Sequence, residues 1–115
     1  MHQEPLPTIS VRQLATLLAD PPEALQLIDV REPEEVAIAA LPEFTVLSLS
    51  QSAAWAGEIQ QRLNPNAPTY VLCHHGVRSA QMCHWLRSQG FENVTNISGG
   101  IDAYAAEVDA TVPRY

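Results

Sequence analysis

The sequence predicts an α/β fold: a parallel sheet of five strands with helices on both faces. Three observations carry that expectation. Short β-branched, apolar runs alternate with segments of helical spacing along the chain. The central runs are apolar at successive positions, as strands buried on both faces must be. Most junctions carry a recognisable cap or breaker.

Thr8-Ile9 reads as a short first strand. Ser10 can cap the following helix, with Gln13 in capping-box position and Val11, Leu14, Leu17 and Leu18 as its apolar stripe; Asp20-Pro21-Pro22 ends it. Residues 25–30 form a second strand, and 33–38 a short helix with Pro33 in its first turn and two carboxylates at its positive end. A third strand over 45–49 and a helix over 53–63 follow, stopped by Asn64-Pro65-Asn66. Thr69-Tyr70-Val71-Leu72 is a fourth strand ending at Cys73. From Ser79 to Gln89 the spacing is helical, with Ala80, Cys83 and Leu86 on one stripe and Gly90 as the stop. Residues 94–97 make a fifth strand, and Gly99-Gly100 turns the chain into a last helix over 101–108. Residues 1–7 read as a flexible arm and about 109–115 as a C-terminal tail of one domain over 1–115.

The stretch Cys73-His74-His75-Gly76-Val77-Arg78-Ser79 concentrates the chemistry. The strand before it puts Cys73 at the carboxyl edge of the sheet, where open α/β sheets bind ligands, and below a helix amino terminus. Unpaired N–H groups and the positive end of the helix dipole favour a thiolate there, the nucleophilic form of cysteine. Gly76 lets successive N–H groups turn inward as an anion-binding nest. Arg78 adds a permanent charge and a planar fork of donors suited to an oxyanion.

Plainer roles compete with these. A lone strand-end cysteine is more often buried and inert, but Gly76 and Arg78 at these spacings weigh against that. For Arg78 the competing role is an ion pair with a nearby carboxylate. Cys73, His74, His75, Cys83 and His84 lack the paired spacing of a zinc site, so no metal is expected; His74 and His75 should wall the loop and contribute mainly backbone N–H groups. Cys83 is expected in the core, Asp29 and Arg31 as a structural bridge, Asp102 at the last helix amino terminus, and Trp55 and Trp85 as core or cleft-wall aromatics.

The loop Cys73-x-x-Gly76-x-Arg78-Ser79 resembles the active-site loop of the rhodanese family of sulfurtransferases. Leu27-Ile28-Asp29-Val30-Arg31-Glu32 is similar to the family's first strand motif, and Ile97-Ser98-Gly99-Gly100-Ile101-Asp102-Ala103-Tyr104 resembles its closing motif; the match spans roughly residues 8 to 108. The resemblance implies a rhodanese-like sheet of strand order 1-5-4-2-3. It further implies a catalytic Cys73 that carries a persulfide, substrate held by His74, His75, Gly76, Val77, Arg78 and Ser79, and no cofactor. Where the family shows a His-Ile-Pro-Gly-Ala type of segment, this chain reads Ala40-Leu41-Pro42-Glu43-Phe44, without that histidine.

The expected activity is therefore that of a thiosulfate sulfurtransferase, passing a sulfane sulfur from a donor such as thiosulfate to cyanide, a thiol or a protein. One alternative is a persulfide carrier that serves a particular partner protein. Another is a phosphatase or arsenate reductase of related fold, which loop length disfavours. Four residues separate Cys73 from Arg78, whereas cysteine-dependent phosphatases carry five. One residue of chain spans roughly 3.3 Å, a large part of such a loop's radius.

Composition narrows the partners. The formal charge is −7 and all six basic residues are arginine, which opposes binding to nucleic acid or anionic lipid. No apolar run is long enough for a membrane span, and no secretory signal is visible. Two cysteines argue against a disulfide scaffold and for a reducing compartment, with the cytoplasm as the default.

Overall fold

The computed structural model describes residues 5–115; residues 1–4, the first part of the expected arm, lie outside the described residues. Strands β1 (Thr8–Ile9), β2 (Gln26–Asp29), β3 (Thr45–Val46), β4 (Thr69–Leu72) and β5 (Val94–Ile97) form one sheet in the order β1-β5-β4-β2-β3. Every neighbouring pair is parallel, so each connection must cross over the sheet. The crossovers contain α1 (Val11–Ala19), α2 (Pro33–Ile38), α3 (Ser52–Trp55), α4 (Ile59–Arg62) and α5 (Val77–Ser88), and α6 (Gly100–Glu107) follows β5. The alternation of strands and helices is that read from the sequence, and the strand order is that implied by the family resemblance.

The central strand β4 fixes the height of the site. Val71 and Leu72 are both fully buried, and as neighbours on a strand they point to opposite faces. Val71 joins Ile28, Val30, Ile59, Met82 and Leu86 in one core, whereas Leu72 joins Val11, Leu14, Phe44, Ile97 and Ile101 in the other. Burying one such side chain is worth about 1.5–3 kcal/mol. A slip of β4 by one residue would exchange the two faces, so both cores hold the register that delivers Cys73 to the sheet edge.

Local signals act as read for α1. The Gln13 N–H donates to Ser10 Oγ at 3.1 Å, and the Gln13 side chain accepts from the Ser10 N–H at 2.8 Å. The Ala40–Phe44 segment, which departs from the family pattern, is used for packing: Leu41 and Phe44 are buried in the core beside α1 and α6.

Several boundaries differ from expectation. The third strand stops at Val46 because the chain bends at buried Ser48, whose hydroxyl donates to the Arg31 carbonyl at 2.7 Å and whose carbonyl accepts from the Trp55 indole at 3.0 Å. The single helix expected over 53–63 is instead α3 and α4, separated by a 3₁₀ turn at Ala56–Glu58. Gly57 lies in that turn, and glycine costs about 1 kcal/mol in a helix interior. α5 begins at Val77 rather than Ser79. Residues 5–7 follow the sheet rather than fray: Leu6 packs on the core and the Pro7 carbonyl accepts from the Asn96 N–H at 2.9 Å.

Candidate active site

Cys73 is the first residue after β4, and its side chain is 1% exposed at the base of a short loop. Two contacts turn that loop inside out. The N–H groups of Ile101 and Asp102, in the first turn of α6, donate to the carbonyls of Cys73 and His74 at 2.9 and 3.1 Å. With these two carbonyls drawn to α6, the Gly76 N–H donates to Cys73 Sγ at 3.0 Å.

Two glycines permit this geometry. Gly76 sits at φ +104°, in the left-handed region that L side chains rarely adopt. Gly100 meets the loop so closely that a Cβ there would lie 2.4 Å from the carbonyl oxygens of both Cys73 and His74. The second glycine thus belongs to the site although it stands far from it in sequence.

Beneath the sulfur lies a buried polar pair. The Cys73 thiol donates to Ser79 Oγ at 3.3 Å, Ser79 Oγ donates to Asn96 Oδ1 at 2.5 Å, and Asn96 Nδ2 donates to the Gly76 carbonyl at 3.1 Å. Asn96 stands on β5, so the neighbouring strand braces both the serine and the glycine that touch the sulfur. Of the remaining loop residues, His75 and Val77 face outward. Val77 is 67% exposed at the start of α5, and the His75 side chain is largely exposed. The His74 ring is sandwiched, 3.8 Å from His75 and 3.9 Å from Tyr115 between centroids, the latter pair at 7° between planes. Burial and the neighbouring His75 push His74 toward its neutral form.

Arg78 occupies the position expected of an anion-binding fork, and its fork is filled. Nη1 and Nη2 donate to Glu35 Oε1 and Oε2 at 2.6 and 3.0 Å. The Arg78 fork holds the Glu35 carboxyl down to about 2, assisted by the Tyr115 hydroxyl, which donates to Oε2 at 2.7 Å. The Arg31–Asp29 pair is the structural bridge expected, buried on both sides and 2.7 Å long. Arg31 also donates to the Tyr115 hydroxyl at 3.0 Å.

His74, His75 and Asp102 each place one potential ligand atom within 4.8 Å of the others. The two imidazole rings lie against each other, 3.8 Å between centroids and tilted by 32°, and Arg114 already donates to both Asp102 oxygens at 3.1 and 3.2 Å. This set therefore fits an ion-pair cluster better than a metal centre. Cys83 is buried in the core, and burial pushes its thiol up to about 12, which makes it inert at neutral pH. Trp55 and Trp85 meet edge to face, 5.8 Å apart, and line a cavity of about 270 Å³ with Leu49 and Met82.

Sequence reading brought together Cys73, Gly76, Arg78 and Ser79, but missed Glu35, Asn96, Gly100 and Tyr115 as parts of the site. Asn96 had a signal, since an amide in a largely buried strand must find partners. Tyr115 had none beyond being an aromatic residue in a polar tail. Among the described residues no helix is long and apolar enough to cross a membrane.

Known proteins of similar sequence and shape carry the same arrangement of chain. The sequence is 49% identical over 116 residues to the rhodanese-like/PpiC domain-containing protein 12, chloroplastic, of Arabidopsis thaliana, covering 99% of this chain but 39% of that protein. It is 35% identical over 85 residues to a putative sulfurtransferase of Bacillus subtilis, covering 74% of this chain and 78% of that one. In shape it is similar to the crystal structure of a single-domain sulfurtransferase of Saccharomyces cerevisiae, with a TM-score of 0.79 at 24% identity, over 97% of this chain and 98% of that one. The family model of the rhodanese-like domain matches residues 10–107, from the cap of α1 to the end of α6, and by that match the chain belongs to the rhodanese-like domain family.

Proposed function

We propose that this chain is a sulfurtransferase that moves a sulfane sulfur through a persulfide on Cys73. The observation that carries the reading is the seating of one sulfur atom at a strand end, with the Gly76 N–H at 3.0 Å and Ser79 Oγ at 3.3 Å. In the first step the Cys73 thiolate attacks the outer sulfur of a donor such as thiosulfate. The S–S bond of the donor breaks and sulfite leaves with the bonding electron pair. Cys73 then carries a persulfide whose terminal sulfur the N–H groups of His74, His75, Gly76, Val77 and Arg78 are suited to surround. In the second step cyanide, a thiol or a protein thiol attacks that terminal sulfur and the Cys73 thiolate is restored.

Arg78 is suited to hold the donor's sulfonate once Glu35 yields, and Ser79 to hydrogen-bond the sulfur. The scheme draws on no metal or organic cofactor. Both cysteines are free, which suits a reducing compartment such as the cytoplasm. The B. subtilis relative named a putative sulfurtransferase supports the activity class. A persulfide carrier for a partner protein is the second reading, favoured by the filled Arg78 fork. The test is the rate of thiocyanate formation from thiosulfate and cyanide: Cys73→Ser should reduce it to background, and an unchanged rate would sink the proposal.

A further inference from the structure

We propose that Glu35 sets the donor class of this site: by filling the Arg78 fork it disfavours small dianionic donors and favours an organic thiol persulfide, which brings no oxyanion. This rests on the sulfurtransferase reading above and specifies its donor.

The Glu35 carboxylate is fully engaged. Oε1 accepts from Arg78 Nη1 at 2.6 Å and from the Glu32 N–H at 3.1 Å; Oε2 accepts from Arg78 Nη2 at 3.0 Å and from the Tyr115 hydroxyl at 2.7 Å. Those bonds come from α5, from the start of α2 and from the C-terminal segment, so Glu35 is fixed from three directions. The C-terminal segment is itself fastened, through Arg114 on Asp102 and Tyr115 on the His74 ring. A bidentate guanidinium–carboxylate pair with extra donors on the carboxylate is the strong form of this contact.

Two further arginines, Arg31 beneath Tyr115 and Arg114 in the C-terminal segment, are balanced as well. Arg31 faces Asp29 at 2.7 Å and Arg114 faces Asp102 at 3.1 Å. The chain as a whole is at −7. A thiosulfate dianion would have to displace Glu35 from Arg78 to gain a cation, in an acidic field. A persulfide R–S–SH makes no such demand. The Cys73 thiolate attacks its outer sulfur, the S–S bond of the persulfide breaks, and R–S⁻ leaves with the electron pair while the outer sulfur and its proton stay on Cys73. Val77, 67% exposed beside Arg78, offers an apolar contact for the R group.

The test measures charge selection at Cys73 in two ways. One is the ratio of alkylation rates by iodoacetate, an anion, and iodoacetamide, which is neutral, followed as a single adduct by intact mass. The other is the ratio of kcat/KM for thiosulfate to that for 2-hydroxyethyl persulfide. Glu35→Gln should raise both ratios about tenfold, while Glu34→Gln, which removes an exposed charge one residue away, should change them by less than about twofold. The rise should vanish in Glu35→Gln/Arg78→Ala compared with Arg78→Ala alone. Unchanged ratios in Glu35→Gln, an equal rise in Glu34→Gln, or a rise that persists without Arg78 would each overturn the proposal. The alkylation ratio does not depend on sulfur transfer. If neither donor turned over, the sulfurtransferase reading would fail, and the alkylation ratio would still report separately whether Glu35 controls the fork.

Discussion

Asn96 holds Ser79 from below: its Oδ1 accepts the Ser79 hydroxyl at 2.5 Å while its Nδ2 reaches the Gly76 carbonyl at 3.1 Å. One side-chain amide on β5 therefore braces both neighbours of the Cys73 sulfur. Because the amide is buried, removing it strands the Gly76 carbonyl and the serine together. Asn96→Ala should lower kcat by about tenfold and destabilise the fold by about 1–3 kcal/mol. Steady-state sulfur transfer and urea unfolding of the same preparation check the two parts.

Gly100 is the tightest point of contact between the loop and α6. A Cβ at this position would lie 2.4 Å from two carbonyl oxygens, at a φ of +62°. Neither oxygen belongs to a flexible side chain, so the backbone itself must move. Gly100→Ala should therefore cost more than about 2 kcal/mol and lower the melting temperature by about 8 °C or more. Thermal unfolding by circular dichroism reads this directly.

The Arg31–Asp29 pair is buried on both sides. Removing one partner of such a pair leaves an uncompensated charge, at a cost of about 3–5 kcal/mol, whereas replacing both with apolar groups is often tolerated. Arg31→Met should thus be far less stable than the double variant Arg31→Met/Asp29→Leu. Urea denaturation of the two variants beside the native chain provides the comparison.

Glu35 links stability to acid. Its folded value is lowered from 4.5 to about 2, mainly by the Arg78 fork. A lowered value means that the stabilisation is fully present above about 4.5 and is lost as pH falls toward 2. Discounted for its partly exposed setting, the effect is on the order of 1 kcal/mol. The stability difference between the native chain and Glu35→Gln should be constant from neutral pH down to about 5 and shrink between 4.5 and 2. Denaturant titrations at stepped pH follow it.

Much of this architecture is legible in the chain because local chemistry and tertiary packing agree. Ser10 and Gln13 announce the start of α1, and the apolar run Val71-Leu72 announces a strand buried on both faces. Cys73, Gly76, Arg78 and Ser79 lie close in sequence, so their meeting is a property of one loop. Glu35, Asn96, Gly100 and Tyr115 reach the same place from other elements. Their contribution depends on strand order, which periodicity does not encode. Arg78 shows the limit best: its position was readable, but the carboxylate that fills its fork comes from the start of α2, 43 residues earlier. The broken helix over α3 and α4 was hidden differently, because its apolar spacing is helical while Gly57 weakens the segment where it turns.

The central claim, a persulfide on Cys73, is tested most directly by intact-mass and peptide-level mass spectrometry of the chain after brief exposure to a sulfane donor and removal of the excess. The mass should rise by about 32 Da, confined to the peptide that contains Cys73, reversed by cyanide and absent in Cys73→Ser. A gain of the same size located on Cys83, or retained in Cys73→Ser, would contradict it.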